Sequence, residues 1–233
     1  MPAMFTIDDP AATLALLQLH DSGYPAGRFV HSNGLESWLG AHPAARENEL
    51  AEVGRSFVLD TVAGLDAVAM AHVWRRDGLE ELLELDRYVS AHKLSASART
   101  ASASCGRQAA MVAQRCLFGD DEPEFLRAVR QGATPGNQAI VDGVVHRALG
   151  IACAPAVLCF LRSAYAGLLS AAVRLGRAGP LWVQRQLRAD SRFLAEATGL
   201  ALTTELDNVV TFAPELDIHA MRHEQAGSRL FTT

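Results

Sequence analysis

Apolar residues recur every three or four positions along most of the chain. The longest such run, Pro155 to Leu175, puts Leu158, Leu161, Tyr165, Leu168, Ala172 and Leu175 on one helical stripe. Ser163, Gly167 and Ala171 lie four apart and make a second ridge of small side chains, on which a neighbouring helix backbone can lie close. A helix covered on two sides belongs at the centre of the fold. Spanning a bilayer takes about 20 apolar residues. Arg162 and Arg174 leave eleven uncharged positions between them, so the run reads as a buried helix of a soluble protein.

The same pattern predicts the other elements in chain order. Asp9 as N-cap and Pro10 at the first helical position open a helix through His20, and Asp21, Ser22, Gly23, Pro25 and Gly27 interrupt it. Helix resumes at Ser32 or Asn33, with Glu36 placed to reach back to the cap and Leu35, Trp38 and Leu39 on the apolar face. Leu50, Val53, Phe57, Thr61, Leu65 and Val68 continue the period, with a break expected at Gly64. A helix follows Gly78. The stretch from Leu94 to Phe118 opens Ser/Ala-rich, but Met111, Val112 and Leu117 follow without a turn residue, and it reads as a helix tightly packed through small residues such as Gly106. Further helices are expected after Pro123, between the turn Thr134-Pro135-Gly136 and Gly150, and after Gly179-Pro180. The stretch from Gly199 to Ala213 carries little pattern.

With 49% hydrophobic but only 6% aromatic residues and few β-branched alternations, the composition favours helix packing. The expectation is an all-α, single-domain bundle of about nine or ten helices over residues 1–233, around the central apolar helix. A net charge of −5 and no basic block speak against a nucleic-acid surface. Cys105, Cys116, Cys153 and Cys159 form no C-x-x-C, Cys105 and Cys116, eleven apart on one helix face, read as buried small hydrophobes, and no basic-then-apolar leader opens the chain, so a cytoplasmic location is expected.

Candidate chemistry is sparse. No phosphate-cradling loop of the G-x-x-x-x-G-K-[ST] type is present, and no G-x-S-x-G marks a nucleophile, so no catalytic residue and no cofactor site is assigned. His219 and His223 are four apart beside Asp217 and Glu224, a spacing that puts two imidazoles on one helix face. A helical metalloenzyme or metal-binding protein using His219 and His223 is the alternative this leaves open. His20, His42, His72 and His146 show no ligand pattern.

Four blocks resemble the urease accessory protein UreF family. The first is Leu16 to Glu36, LLQLHDSGYPAGRFVHSNGLE, and the second is Arg99, Ser102, Gly106 and Arg107. The third comprises Ala148-Leu149-Gly150, Tyr165 and the run Ser170 to Leu175. The tail completes the set, with Leu216-Asp217-Ile218, Met221-Arg222-His223-Glu224 and Ser228-Arg229-Leu230-Phe231. The chain departs from the family pattern at Arg28, Asn137, His219 and Gly227, where a small residue, a histidine, a small residue and an aromatic are usual.

The resemblance implies a non-enzymatic chaperone that assembles with the GTPase UreG and with UreD (also called UreH). It would form a homodimer and support GTP-dependent nickel insertion into apo-urease, with nickel handled transiently by the complex and no cofactor held tightly. It also implies partner-binding roles for Gly34, Leu35, Glu36, Arg174, Met221, Arg222, His223, Glu224, Ser228, Arg229, Leu230 and Phe231. The polar tail from about 214 to 233 is expected to dock a partner rather than build the core, gaining order on binding. Nucleic acid and membrane are not expected partners.

Overall fold

The computed structural model describes residues 9–223 and 230–232, and every regular element among them is helical. Eleven helices follow in order. They are α1 (Pro10–His20), α2 (Leu35–Ala41), α3 (Glu47–Arg75), α4 (Leu79–His92) and α5 (Ala96–Ala113), the last extended by a π turn over Gln114–Phe118. Then come α6 (Glu124–Arg130), α7 (Gln138–Ala148), α8 (Cys153–Arg174), α9 (Pro180–Ala189), α10 (Ser191–Thr203) and α11 (Pro214–His223). The count exceeds nine or ten because the run after Gly179 divides at Asp190 and the tail forms a helix of its own.

Local chemistry sets the boundaries. The Asp9 carboxylate accepts the Ala12 amide at 3.0 Å, with Pro10 behind it. α7 stops where Gly150 takes φ +74° and the amides of Gly150 and Ile151 turn back to the carbonyls of Arg147 and His146. Ser95 caps α5 by accepting the Ala98 amide. That helix is ordered and packed, with Ala101, Cys105, Gly106, Ala109, Ala110, Val112 and Ala113 buried.

α8 is the hub, packing against α1, α2, α3, α7, α9 and α10. Leu161, Tyr165, Leu168 and Ala172 are buried as the stripe requires, while Leu158, near the start of the helix, reaches the surface. The Tyr165 hydroxyl donates to Asp190 at 2.5 Å, where Gln186 and Arg55 converge on the same carboxylate. The small-residue ridge behaves differently from its reading. Ala171 is buried, but a Cβ on Gly167 would meet nothing within 4 Å. Ser163, Ala164 and Gly167 line a cavity of about 150 Å³.

α3 and α8 are both long and apolar enough to cross a membrane by length and composition, yet 72% of the α3 stretch and 50% of the α8 stretch is buried in the fold. Gly64 does not break α3, which runs through a π-helical segment, Phe57–Asp66. The glycine lets the Val210 carbonyl oxygen lie 2.1 Å from where a Cβ would stand. The Phe212 amide donates to the Asp60 carbonyl, so the poorly patterned segment after α10 is strapped along α3 by its backbone.

Candidate functional site

The segment Val30 to Trp38 and the described tail meet on one face. Gly34 takes φ +84° ahead of α2, and a Cβ there would lie 2.6 Å from the Leu216 carbonyl oxygen and 3.0 Å from the Ala220 nitrogen, so α11 seats directly on that glycine. The Trp38 indole N–H donates to Glu215 at 2.5 Å from the next turn of α2. Glu36 does not reach back to its own helix start as its spacing suggested. Its carboxylate accepts the amides of Leu230 at 2.8 Å and Phe231 at 3.1 Å, while Ser32 Oγ takes the Glu36 amide. The Thr232 amide donates to the Val30 carbonyl, and the Arg174 guanidinium stacks 4.2 Å over the Phe231 ring.

These contacts bring together the residues assigned to partner binding, but in two groups. Gly34 lies beneath α11, and Leu35 and Phe231 are buried in the core cluster that Leu216 also joins. Arg174, Met221, Arg222 and Leu230 are exposed, with Ile218 beside them on α11. Glu224, Ser228 and Arg229, with Gly227, lie outside the described residues, as does the side chain of His223. The described part of the tail packs on the body, with Leu216 and Phe231 in the core cluster.

Three of the four departures from the family pattern, Arg28, Asn137 and His219, make local contacts. Arg28 donates to Asp142 at 2.7 Å and to the Leu19 carbonyl at 3.3 Å, fixing the loop after α1 to α7. Asn137 is fully buried, and its Nδ2 donates to the Asp86 backbone carbonyl, to Asp86 Oδ1 and to Ser90 Oγ at 2.8 to 2.9 Å. It is a structural joint of the turn before α7. His219 is buried, with Nδ1 3.1 Å from Ser37 Oγ.

A second polar cluster was invisible to the sequence reading. His146 Nδ1–H donates to the Asp142 carbonyl at 2.5 Å, which leaves its Nε2 as an acceptor. His20 Nε2–H donates to that nitrogen at 2.9 Å, so His20 Nδ1 accepts from the Ser163 hydroxyl, also at 2.9 Å. Each tautomer follows from the one before. Burial, followed by the charges of His146, Arg28 and Arg162, holds His20 down to about 2, and burial lowers His146 as well. The partners are 126 and 143 residues apart in the chain, which no local pattern signals.

The pair carries a pH prediction. Both histidines stay neutral in the folded chain, whereas in the unfolded chain each takes up a proton near pH 6.5. The unfolded state thus binds more protons below that pH, and stability falls as pH falls. Between about pH 6.5 and about 5.5 the two together should cost about 2 kcal/mol. Urea unfolding at the two pH values measures it, and the double variant His20→Gln, His146→Gln should flatten the slope.

Beside this cluster, the cavity is lined by the polar groups of Arg28, His31, Asp66, Lys93 and Asp217 among apolar walls that include Phe57 and Phe160. Lys93, the only lysine in the chain, donates to Asp66 at 2.7 Å, with both side chains largely buried. No three metal-capable side chains converge among the described residues, and of the spaced pair His219 and His223 the second side chain lies outside them.

The described residues thus define an all-helical class of fold, in which the α11 and tail face joins α2 and buried polar clusters pin helices together. More particularly, the chain belongs to the UreF family. The UreF family model matches residues 44–189. The urease accessory protein UreF of Corynebacterium efficiens is 30% identical over 222 residues, covering 94% of this chain and 96% of that protein. The UreF of Kocuria rhizophila is 31% identical over 232 residues, covering 95% and 97%. That of Paenarthrobacter aurescens is 31% identical over 219 residues, covering 94% and 96%. The family consists of non-catalytic accessory proteins of urease maturation.

Proposed function

We propose that this chain is an assembly scaffold that joins the GTPase UreG and UreD (UreH) to apo-urease and supports GTP-dependent insertion of nickel. Nickel is the cargo of the complex, and no cofactor resides tightly in this chain. The observation that carries the reading is kinship over nearly the whole length of both chains. The chain contains no phosphate-binding loop, so GTP chemistry falls to the partner, and this protein acts by binding that partner's states unequally. A homodimer working in the cytoplasm, without nucleic acid or membrane, completes the reading.

On this face the buried members, Gly34, Leu35 and Phe231, shape the surface, while exposed Arg174, Met221, Arg222 and Leu230 touch the partner. Arg222 supplies charge-assisted bonds and Met221 and Leu230 the apolar anchors. Arg222→Ala should therefore weaken capture of UreD by about 2 kcal/mol, roughly 30-fold, with the unfolding midpoint unchanged. Co-purification with UreD, scored beside thermal unfolding of each variant, measures this. Unweakened capture by the double variant Met221→Asp, Arg222→Ala would remove the face from the proposal.

A further inference from the structure

Gly167 sits inside α8, where glycine weakens a helix and no neighbour demands it: a Cβ there would meet nothing within 4 Å. It opens onto the cavity of about 150 Å³ between α3, α5, α8 and α11, whose apolar wall includes Phe57, Phe160 and Leu216. A cavity of about that volume in a protein core admits a benzene ring. The charges around it are mostly paired with one another. Arg28 pairs with Asp142 and Lys93 with Asp66, each at 2.7 Å. Two groups are left to address a ligand. The Arg28 Nε–H is buried without a partner among the described residues, and Asp217 accepts the Ala213 amide with one oxygen at 3.3 Å, which leaves the other to accept. Burial raises the Asp217 carboxyl above its ordinary value, so a hydrogen bond supplied to it there is stronger than one in water.

We propose that this cavity binds a small neutral carboxamide with an apolar body. The carbonyl oxygen of the ligand accepts from Arg28 Nε, its amide N–H donates to Asp217, and its body packs on Phe57 and Phe160. The balance of charge in the wall selects for neutrality. A carboxylate would face Asp66 and Asp217, and an ammonium would face Arg28 and Lys93, so each ion meets a like charge. A plain hydrocarbon fits by size but leaves the Arg28 donor buried and unpaired, which opposes its binding. A carboxamide answers both leftover groups, because one planar group offers an acceptor and a donor side by side. The site goes beyond the scaffold reading and requires neither UreG nor urease.

The test titrates the full chain with benzamide, and with toluene and benzoate as comparators of similar size, reading ligand-observed NMR and the melting temperature. One benzamide should bind per chain and raise the melting temperature. Toluene and benzoate should bind at least about tenfold more weakly, the first for its missing acceptor and the second for its charge. Gly167→Leu fills the cavity from a position with room for a side chain, so benzamide binding should fall at least about tenfold. Its melting temperature should stay at or above that of the wild type, leucine being the better helix former. Arg28→Lys keeps a cation beside Asp142 but lacks the Nε–H, and should bring benzamide down to the level of toluene. The comparison of the three probes on the wild-type chain stays decisive if a variant fails to fold. Absence of benzamide binding by the wild-type chain overturns the site, as does unchanged binding by Gly167→Leu. Toluene or benzoate binding as tightly as benzamide, or unchanged binding by Arg28→Lys, overturns the carboxamide assignment.

Discussion

Asp86→Ala should lower the unfolding free energy by about 4 kcal/mol, on the order of 10 °C in melting temperature for a chain of this size. The carboxylate is fully buried in α4 and accepts four donors: the Thr134 hydroxyl at 2.6 Å, the amides of Gly136 and Asn137 at 2.7 Å, and Asn137 Nδ2 at 2.9 Å. Removing it strands the hydroxyl and both amides. Each buried donor left without a partner costs about 1–3 kcal/mol, far beyond what a lost neutral hydrogen bond contributes. Against a typical total of about 5–15 kcal/mol, this is a large share. Asp86→Asn should lose less, because it keeps an acceptor oxygen. Chemical denaturation of the two variants beside the wild type decides it, and an Asp86→Ala loss below 1 kcal/mol would show that water replaces the carboxylate.

The same turn is held from the other side by Gly106. A Cβ at that position would lie 2.0 Å from the Gly136 carbonyl oxygen and 2.9 Å from both the Asn137 carbonyl carbon and the Gln138 nitrogen. All three are backbone atoms, which cannot swing away as a side chain tip can. Alanine ordinarily improves a helix over glycine by about 1 kcal/mol. Here the clash must push α5 off the start of α7, and overpacking of this kind costs about 1–3 kcal/mol. Backbone on both sides places Gly106→Ala at the upper end, and Gly106→Leu beyond it. Thermal unfolding should show the order wild type, alanine, leucine. Because Asp86 and Gly106 brace one turn, the double variant should fall short of the sum of the two losses.

Neither position stood out for its real reason. Gly106 was read as a small residue in a close-packed helix, which the structure supports, but the atoms that require it belong to a turn 30 residues further on. Asp86 carried no signal, since its partners lie 48 to 51 residues away. The helices themselves were legible because their signals are local: Asp9-Pro10, Gly150 and Pro180 mark ends within a turn of where they act. Glu36 shows the limit of such reading. Its spacing from Asn33 fits a helix cap, yet its carboxylate serves amides 194 and 195 residues away, which hold the tail in place.

The candidate face was legible in part by resemblance and not by pattern. Gly34-Leu35-Glu36 and Leu230-Phe231 were singled out from opposite ends of the chain, and they meet. What resemblance could not supply is the division of labour: Phe231 is buried under Arg174, whereas Met221 and Leu230 stand exposed.

The central claim is that this chain supports urease activation through the exposed part of the α11 and tail face. The most direct measurement is urease activity and urease-bound nickel in cells that lack their own UreF but carry the urease genes, supplied with either the wild-type chain or the double variant Met221→Asp, Arg222→Ala. The account predicts that the wild-type chain restores nickel-loaded, active urease and that the variant, present at the same level and with the same melting temperature, does not. Full activation by the variant, or none by the wild-type chain, would contradict it.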